Sequence, residues 1–198
     1  MRLSILQYGD AMLRAKGKRI DKIDNRIREL ATNMVETMHA ANGVGLAAQQ
    51  VGKPLQLTVL DLSQVEDRPS TMRCNGEVVD AKTQMPLVLI NPQITLSDET
   101  DVGTEGCLSF PEITGEVERA FSASVRAETL EGGKIEIEAS GFLARALQHE
   151  IDHLNGILFI DRMSSAAKAS LSSRLKRLQK ETKRGAQHRQ LPVGQTAL

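Results

Sequence analysis

Residues 149–153 read His-Glu-Ile-Asp-His, inside a stretch whose composition leaves it little choice but to be a buried helix. From Ser140 to Leu154 there is no proline, and Phe142, Leu143, Ala146, Leu147, Ile151 and Leu154 cover most sides of a helical wheel. A helix apolar on most sides belongs in the interior. Ser140 is the expected N-cap and Asn155-Gly156 the expected stop. Two imidazoles four residues apart then share one side of the helix, close enough to grip a single metal ion. Glu150 falls about 100° further round, where it reaches a water on the metal without ligating the metal itself. Two histidines satisfied inside a core are the bland alternative, but buried polar rings are costly without partners. The chemistry indicated is metal-activated water attacking a carbonyl, with Glu150 moving the protons.

The rest of the composition narrows the setting. A chain of 198 residues makes one domain, or one domain with an appendage, and can bury a core without staples. Its 25 basic and 25 acidic residues cancel, so no global field draws it to DNA, to RNA or to a membrane. One Tyr, four Phe and no Trp argue against stacking-based recognition of single strands. Cys74 and Cys107 are too few for a disulfide framework, which points to a reducing compartment. The first ten residues lack an apolar run or a small-residue cleavage site, and no segment has the length of a membrane span. A cytoplasmic location is expected.

Along the chain, Asp24 to Ala40 has helical periodicity with Asp24 as cap. Strands are expected at Leu55 to Leu62, Pro86 to Ile90, Ile94 to Leu96, Ser122 to Thr129 and Lys134 to Ala139. Leu130-Glu-Gly-Gly133 turns between the last two. Residues 63–84 are polar, carry Pro69 and Gly76, and read as a long surface excursion. Strands gathered ahead of helices indicate an α+β fold. Its expected form is short antiparallel sheets packed around the buried helix, flanked by N-terminal and C-terminal helices. The catalytic part is expected to span residues 1–163. Residues 164–184 form a helix with Leu171, Leu175 and Leu178 on one stripe and basic side chains elsewhere, and residues 185–198 are expected to be disordered.

Two His ligands leave a metal open, so a third ligand should exist. Asp161 lies downstream, but without the further His of a metzincin pattern. Glu105-Gly-Cys-Leu-Ser109 offers more: Gly106 allows close backbone approach and Cys107 a soft thiolate. One Cys and two His leave a fourth position for water, as in a catalytic site. A buried thiol acting as a small hydrophobe is the other reading of Cys107, and the one assigned to Cys74.

Gly43-Val-Gly-Leu-Ala-Ala-Gln-Gln50, Glu105-Gly-Cys-Leu-Ser109 and Gln148-His-Glu-Ile-Asp-His153 resemble, in order and approximate spacing, the three motifs of peptide deformylases. The likeness runs from about Asp10 to Asp161. The resemblance implies removal of the formyl group from formyl-methionine at the start of nascent polypeptides, with release of formate. It implies metal ligands at Cys107, His149 and His153, and a general acid/base at Glu150. It places oxyanion donors at the Gln50 side chain and the Leu108 backbone N–H. The ion implied is Fe²⁺, with zinc, nickel or cobalt as substitutes. The peptide would lie as an added strand between Gly43-Val44-Gly45 and the segment around Leu108, with its methionine in an apolar pocket.

Arg145, on the His149 side of the helix, departs from the best-studied bacterial branch. It is expected either to cap the pocket mouth, as a substrate contact, or to pair with an acid. Glu105 is expected to pair with Arg119 and brace the Cys-bearing strand. The basic helix is read as either a solvated face or a patch that docks on the ribosome. Two other functions stay open: a zincin-type metallopeptidase, which would need its third ligand downstream, and a non-catalytic, metal-stabilised protein that binds RNA or ribosome.

Overall fold

The structure, a computed structural model, describes residues 1–190. Among these residues, nine strands and five α-helices form an α+β fold with two antiparallel sheets. The larger sheet has seven strands in the order β1-β2-β5-β8-β9-β3-β4. These are β1 (Gly45–Ala47), β2 (Leu57–Leu60), β5 (Leu87–Leu96), β8 (Ser122–Glu128), β9 (Lys134–Gly141), β3 (Ser70–Cys74) and β4 (Glu77–Val79). The smaller sheet is a hairpin of β6 (Thr100–Gly106) and β7 (Thr114–Ala120). Helix α1 covers Asn25–Ala40, and the Asp24 side chain accepts hydrogen bonds from the Arg26 and Ile27 N–H groups as its cap.

Helix α2 (Phe142–Leu154) packs against β1, β2, β3, β5, β8 and β9, and every residue from Leu143 to Leu154 is buried. Leu143, Leu147 and Ile151 enter one apolar cluster with Met72, Leu89, Val125 and Ile137 of the sheet. On the same sheet, Met34 and Met38 of α1 pack against Leu46, Leu57 and Val59.

The start of α2 differs from expectation. Ser140 lies within β9 and bonds Thr71 instead, and the cap position falls to Gly141 at φ +66°. A side chain there would strike the Pro69 carbonyl, so only glycine suits both the backbone and the space. Two of the free N–H groups of the helix are satisfied from the 63–84 segment: Phe142 donates to Pro69 O at 3.2 Å and Leu143 to Ser70 Oγ at 3.0 Å. That segment is more than a surface excursion. It holds the β3–β4 hairpin, which pairs with β9 and extends the main sheet.

The segments expected as two strands around Pro92 are one strand, β5, with a register shift between Ile90 and Gln93. Proline cannot donate to the ladder, and a bulge is where a strand tolerates it. Asn91, at φ +52°, turns its side chain to bond both the N–H and the carbonyl of Ile20.

A third cluster joins Leu13, Phe110, Val117, Phe159 and Ile160 to the C-terminal part of the chain. After the short helix α3 (Phe159–Arg162), the expected basic helix is two helices, α4 (Ser165–Ser170) and α5 (Ser172–Gln190). Leu175 and Leu178 are buried in this cluster and Leu171 partly so, while Arg174, Lys176, Arg177, Lys180, Lys183 and Arg184 are exposed. The helix continues through residues 185–190, the first part of the stretch expected to be disordered. The remainder of that stretch, 191–198, lies outside the described residues. Truncating a buried leucine leaves a cavity that neighbours fill only in part. Leu178→Ala is therefore expected to lower the unfolding free energy by about 2–3 kcal/mol in urea titration, a loss that a freely solvated helix would not show.

Candidate active site

The three sequence motifs converge on one face of α2. The Cys107 Sγ, one nitrogen of His149 and one of His153 lie within 4.8 Å of one another, and Sγ is 3.3 Å from His153 Nε2. Tetrahedral ligands of an ion with bonds of 2.0–2.3 Å sit about 3.5 Å apart, so the spacing suits a shared cation. The tautomer of His149 is set from behind. Its Nδ1 meets Glu105 Oε2 at 2.9 Å, which leaves Nε2 to face the cluster. His153 is almost fully buried, and its Nδ1 finds no hydrogen-bond partner among the described residues. Burial, and then the nearby His149 charge, hold the His153 pKa well below its usual value, favouring the neutral ring that binds metals. Burial also works against a charge on His149, but hydrogen bonds to Cys107 and Glu105 outweigh it and push its pKa up to about 10. Thiol and carboxylates thus draw positive charge to this spot.

Glu105 is the junction of the site. Arg119 donates to it from Nε at 2.8 Å and from NH2 at 3.0 Å, and Arg145 from NH1 at 3.0 Å. Burial alone would raise its pKa; the bonds to Arg119 and His149 win and hold it at about 2. Arg119 is held in turn by Asp152 at 2.5 Å, and Asp152 also accepts two bonds from Arg162. Arg145 also donates to Val117 O and Asp101 O, both at 2.8 Å, so its guanidinium is engaged with protein groups.

Glu150 lies on the adjacent face of α2, 5% exposed, with Thr58 Oγ1 3.4 Å from its Oε2. Burial is the largest influence on it and pushes its pKa up to about 7, against the pull of the His149 charge and of Thr58. Gly45 makes room for this carboxylate: a Cβ at position 45 would come within 2.6 Å of Glu150 Cδ. Gly43 plays the same part toward Leu108, whose Cδ1 would be 2.6 Å from an added Cβ.

Gln50 is oriented on both ends. Its Oε1 accepts from the Ala47 N–H at 2.8 Å, which fixes the amide so that Nε2 donates to Ser109 Oγ at 3.1 Å and faces Cys107 Sγ at 3.4 Å. The Leu108 N–H makes no hydrogen bond within the described residues. The N-terminal segment ties the first two motifs together through Leu6 N–H to Gln50 O at 2.8 Å and Tyr8 N–H to Ser109 O at 2.9 Å. Asp161, the alternative ligand, is elsewhere: it accepts from the Leu158 N–H and pairs with Arg14 and Lys168.

Before the cluster opens a cleft of about 510 Å³. Its walls include Gly43, Val44, Leu108, Phe142 and Ala146, and Glu150 and His149 sit at its floor. Among the described residues strand β1 pairs only with β2, so its other edge is unpaired in the sheet. No helix among the described residues is long and apolar enough to cross a membrane.

The sequence profile of polypeptide deformylases matches residues 2–169. The chain belongs to the peptide deformylase family. It is 44% identical over 188 residues to the peptide deformylase of Opitutus terrae, covering 94% of this chain and 97% of that one. A plant peptide deformylase superposes with a TM-score of 0.80 at 38% identity, over 92% of both chains. The enzyme of Thermus thermophilus gives 0.77 at 36% identity, over 91% of this chain and 99% of that one. As a deformylase the chain is a hydrolase, one that removes the formyl group from nascent peptides.

Sequence reasoning passed over Thr58, Ser109 and Asp152, which contact Glu150, Gln50 and Arg119 in this deformylase, and Arg162, which donates to Asp152. Ser109 and Asp152 stand inside the motifs and were within reach. Thr58 depends on strand register, and no spacing announces it. A double-mutant cycle on Glu105→Gln and Arg119→Met is expected to show a coupling of about 2 kcal/mol in unfolding free energy, the pair being buried on both sides. Additive effects would mean that the contact contributes nothing.

Proposed function

We propose that Cys107, His149 and His153 hold one divalent metal ion, and that Glu150, Gln50 and the Leu108 N–H act on the formyl group of an N-formylmethionyl peptide. The observation that carries this is the meeting of a thiol and two imidazoles beside a buried carboxylate, at the floor of a cleft. Fe²⁺ is the expected ion, with zinc, nickel or cobalt as substitutes, since one thiolate and two imidazoles suit several divalent ions. When bound, such an ion supplies Lewis acidity, polarising the formyl carbonyl and easing deprotonation of a nearby water.

Glu150 takes the proton of the attacking water on its carboxylate. The water oxygen adds to the formyl carbon, and negative charge grows on the former carbonyl oxygen. Gln50 Nε2 and the Leu108 N–H donate to that oxygen, and each such donor contributes about 3 kcal/mol to lowering the barrier. The bond from carbon to nitrogen then breaks, Glu150 returns its proton to the leaving amine, and formate departs. No nucleophilic side chain is required.

The peptide adds as a strand along the unpaired edge of β1, with Gly43, Val44, Gly45 and Leu108 offering backbone. The methionine side chain enters between Val44, Ala146 and Phe142. Arg145 contributes its stem to this wall, its charged end being engaged by Glu105. A cytoplasmic setting belongs to the same proposal, because a free thiolate ligand calls for reducing conditions. So does docking on the ribosome through the exposed basic face of α5.

Glu150→Gln is expected to lower kcat for formate release from a formyl-Met peptide by at least about 100-fold while keeping one metal per chain. Cys107→Ala is expected to lose the metal in elemental analysis; retention of it would favour a peptidase-type site. Substituting Lys176, Lys180 and Lys183 by Glu is expected to weaken ribosome co-sedimentation at low salt, and unchanged sedimentation would remove that part of the reading.

A further inference from the structure

The segment that caps α2 brings one unassigned charge to the substrate cleft. Arg68 stands just before Pro69 and Ser70, whose carbonyl and hydroxyl receive the first N–H groups of the helix, and so its backbone is anchored. Its guanidinium lies 4.5 Å over the Phe142 ring. Stacking of this kind holds a cation in place while leaving its N–H donors outward. Among the described residues Arg68 forms no ion pair. The acids at this end, Asp67, Asp101 and Glu112, all lie beyond ion-pair distance of Arg68, and Asp101 is 3.6 Å from Arg145. A second cavity of about 380 Å³ adjoins the first, and Arg68, Phe142, Thr104 and Arg145 line both.

We infer that Arg68 is a specificity-determining residue that favours an acidic side chain at the third position of the formylated peptide. The inference rests on the deformylase reading of the site. In an extended peptide, side chains alternate, so residues one and three share a face and stand about 7 Å apart. If the first enters the apolar wall of Ala146 and Phe142, the third points to the same side further out. Phe142 is seven residues, two helical turns or about 10 Å, from His149. The guanidinium above it therefore meets the third side chain, whereas the second points to the opposite face. The ligand chemistry is a carboxylate accepting paired N–H bonds from a guanidinium.

The test compares kcat/KM for formyl-Met peptides carrying Asp, Asn or Lys at position three, and a second set carrying them at position two, at low and high salt. For an exposed pair the expected preference for Asp over Lys at position three is about two- to fivefold at low salt, shrinking as salt rises. Arg68→Ala should bring that ratio close to one, Arg68→Glu should invert it, and Arg68→Lys should keep most of it. A ratio unchanged in Arg68→Ala, or an equal ratio for charges at position two, overturns the inference. Failure of the native protein to release formate even from the Asn peptides would instead overturn the deformylase reading beneath it.

Discussion

The carboxylate of Glu105 meets two guanidiniums and an imidazole, those of Arg119, Arg145 and His149, in the interior between the small hairpin and α2. A buried anion is costly unless its lone pairs are filled, and here four short contacts fill them. Because one of those contacts is to His149 Nδ1, the same carboxylate that joins hairpin to helix also sets which nitrogen faces Cys107. Position and chemistry are thus linked through one side chain. The chain extends to Asp152 and Arg162, so the last turns of α2 and the residues after it share the same network.

Around that junction the fold brings together segments that are far apart in sequence. Two positions with no side chain, Gly45 of β1 and Gly43 just before it, let the backbone approach Glu150 and Leu108. The N-terminal segment bonds Gln50 and Ser109 through its own backbone, which holds the first motif beside the second. The β3–β4 hairpin serves the helix from its other end, supplying the hydrogen bonds that Ser140 was expected to give. A polar insertion thereby becomes part of the machinery that fixes α2, and it carries Arg68 to the cleft as it does so.

Helix α5 shows two demands met by one amphipathic pattern. Its leucine stripe closes the cluster of Leu13, Phe110 and Phe159, while its basic side chains stay in water. Zero net charge over the whole chain conceals this local concentration of positive charge.

Where burial is one-sided or complete, the sequence was readable. Helices α1 and α2 follow from their apolar spacing, and β8 and β9 from alternation with a glycine turn between them. Strands β6 and β7 left no such pattern: β6 is largely exposed on both faces, and the inward positions of β7 include Arg119, whose charge disguises a buried site. The β3–β4 hairpin buries little beyond Met72 and likewise reads as loop. By itself the sequence determined that two imidazoles share one side of a helix, because a four-residue spacing puts both His149 and His153 there, and it singled out Cys107 as a third group able to join them. Only the tertiary structure decided that Cys107 meets both rings and which groups surround the three. The bonds from Thr58 to Glu150, Arg145 to Glu105 and Ser70 to α2 depend on strand register and on contacts between distant segments, which no local spacing encodes.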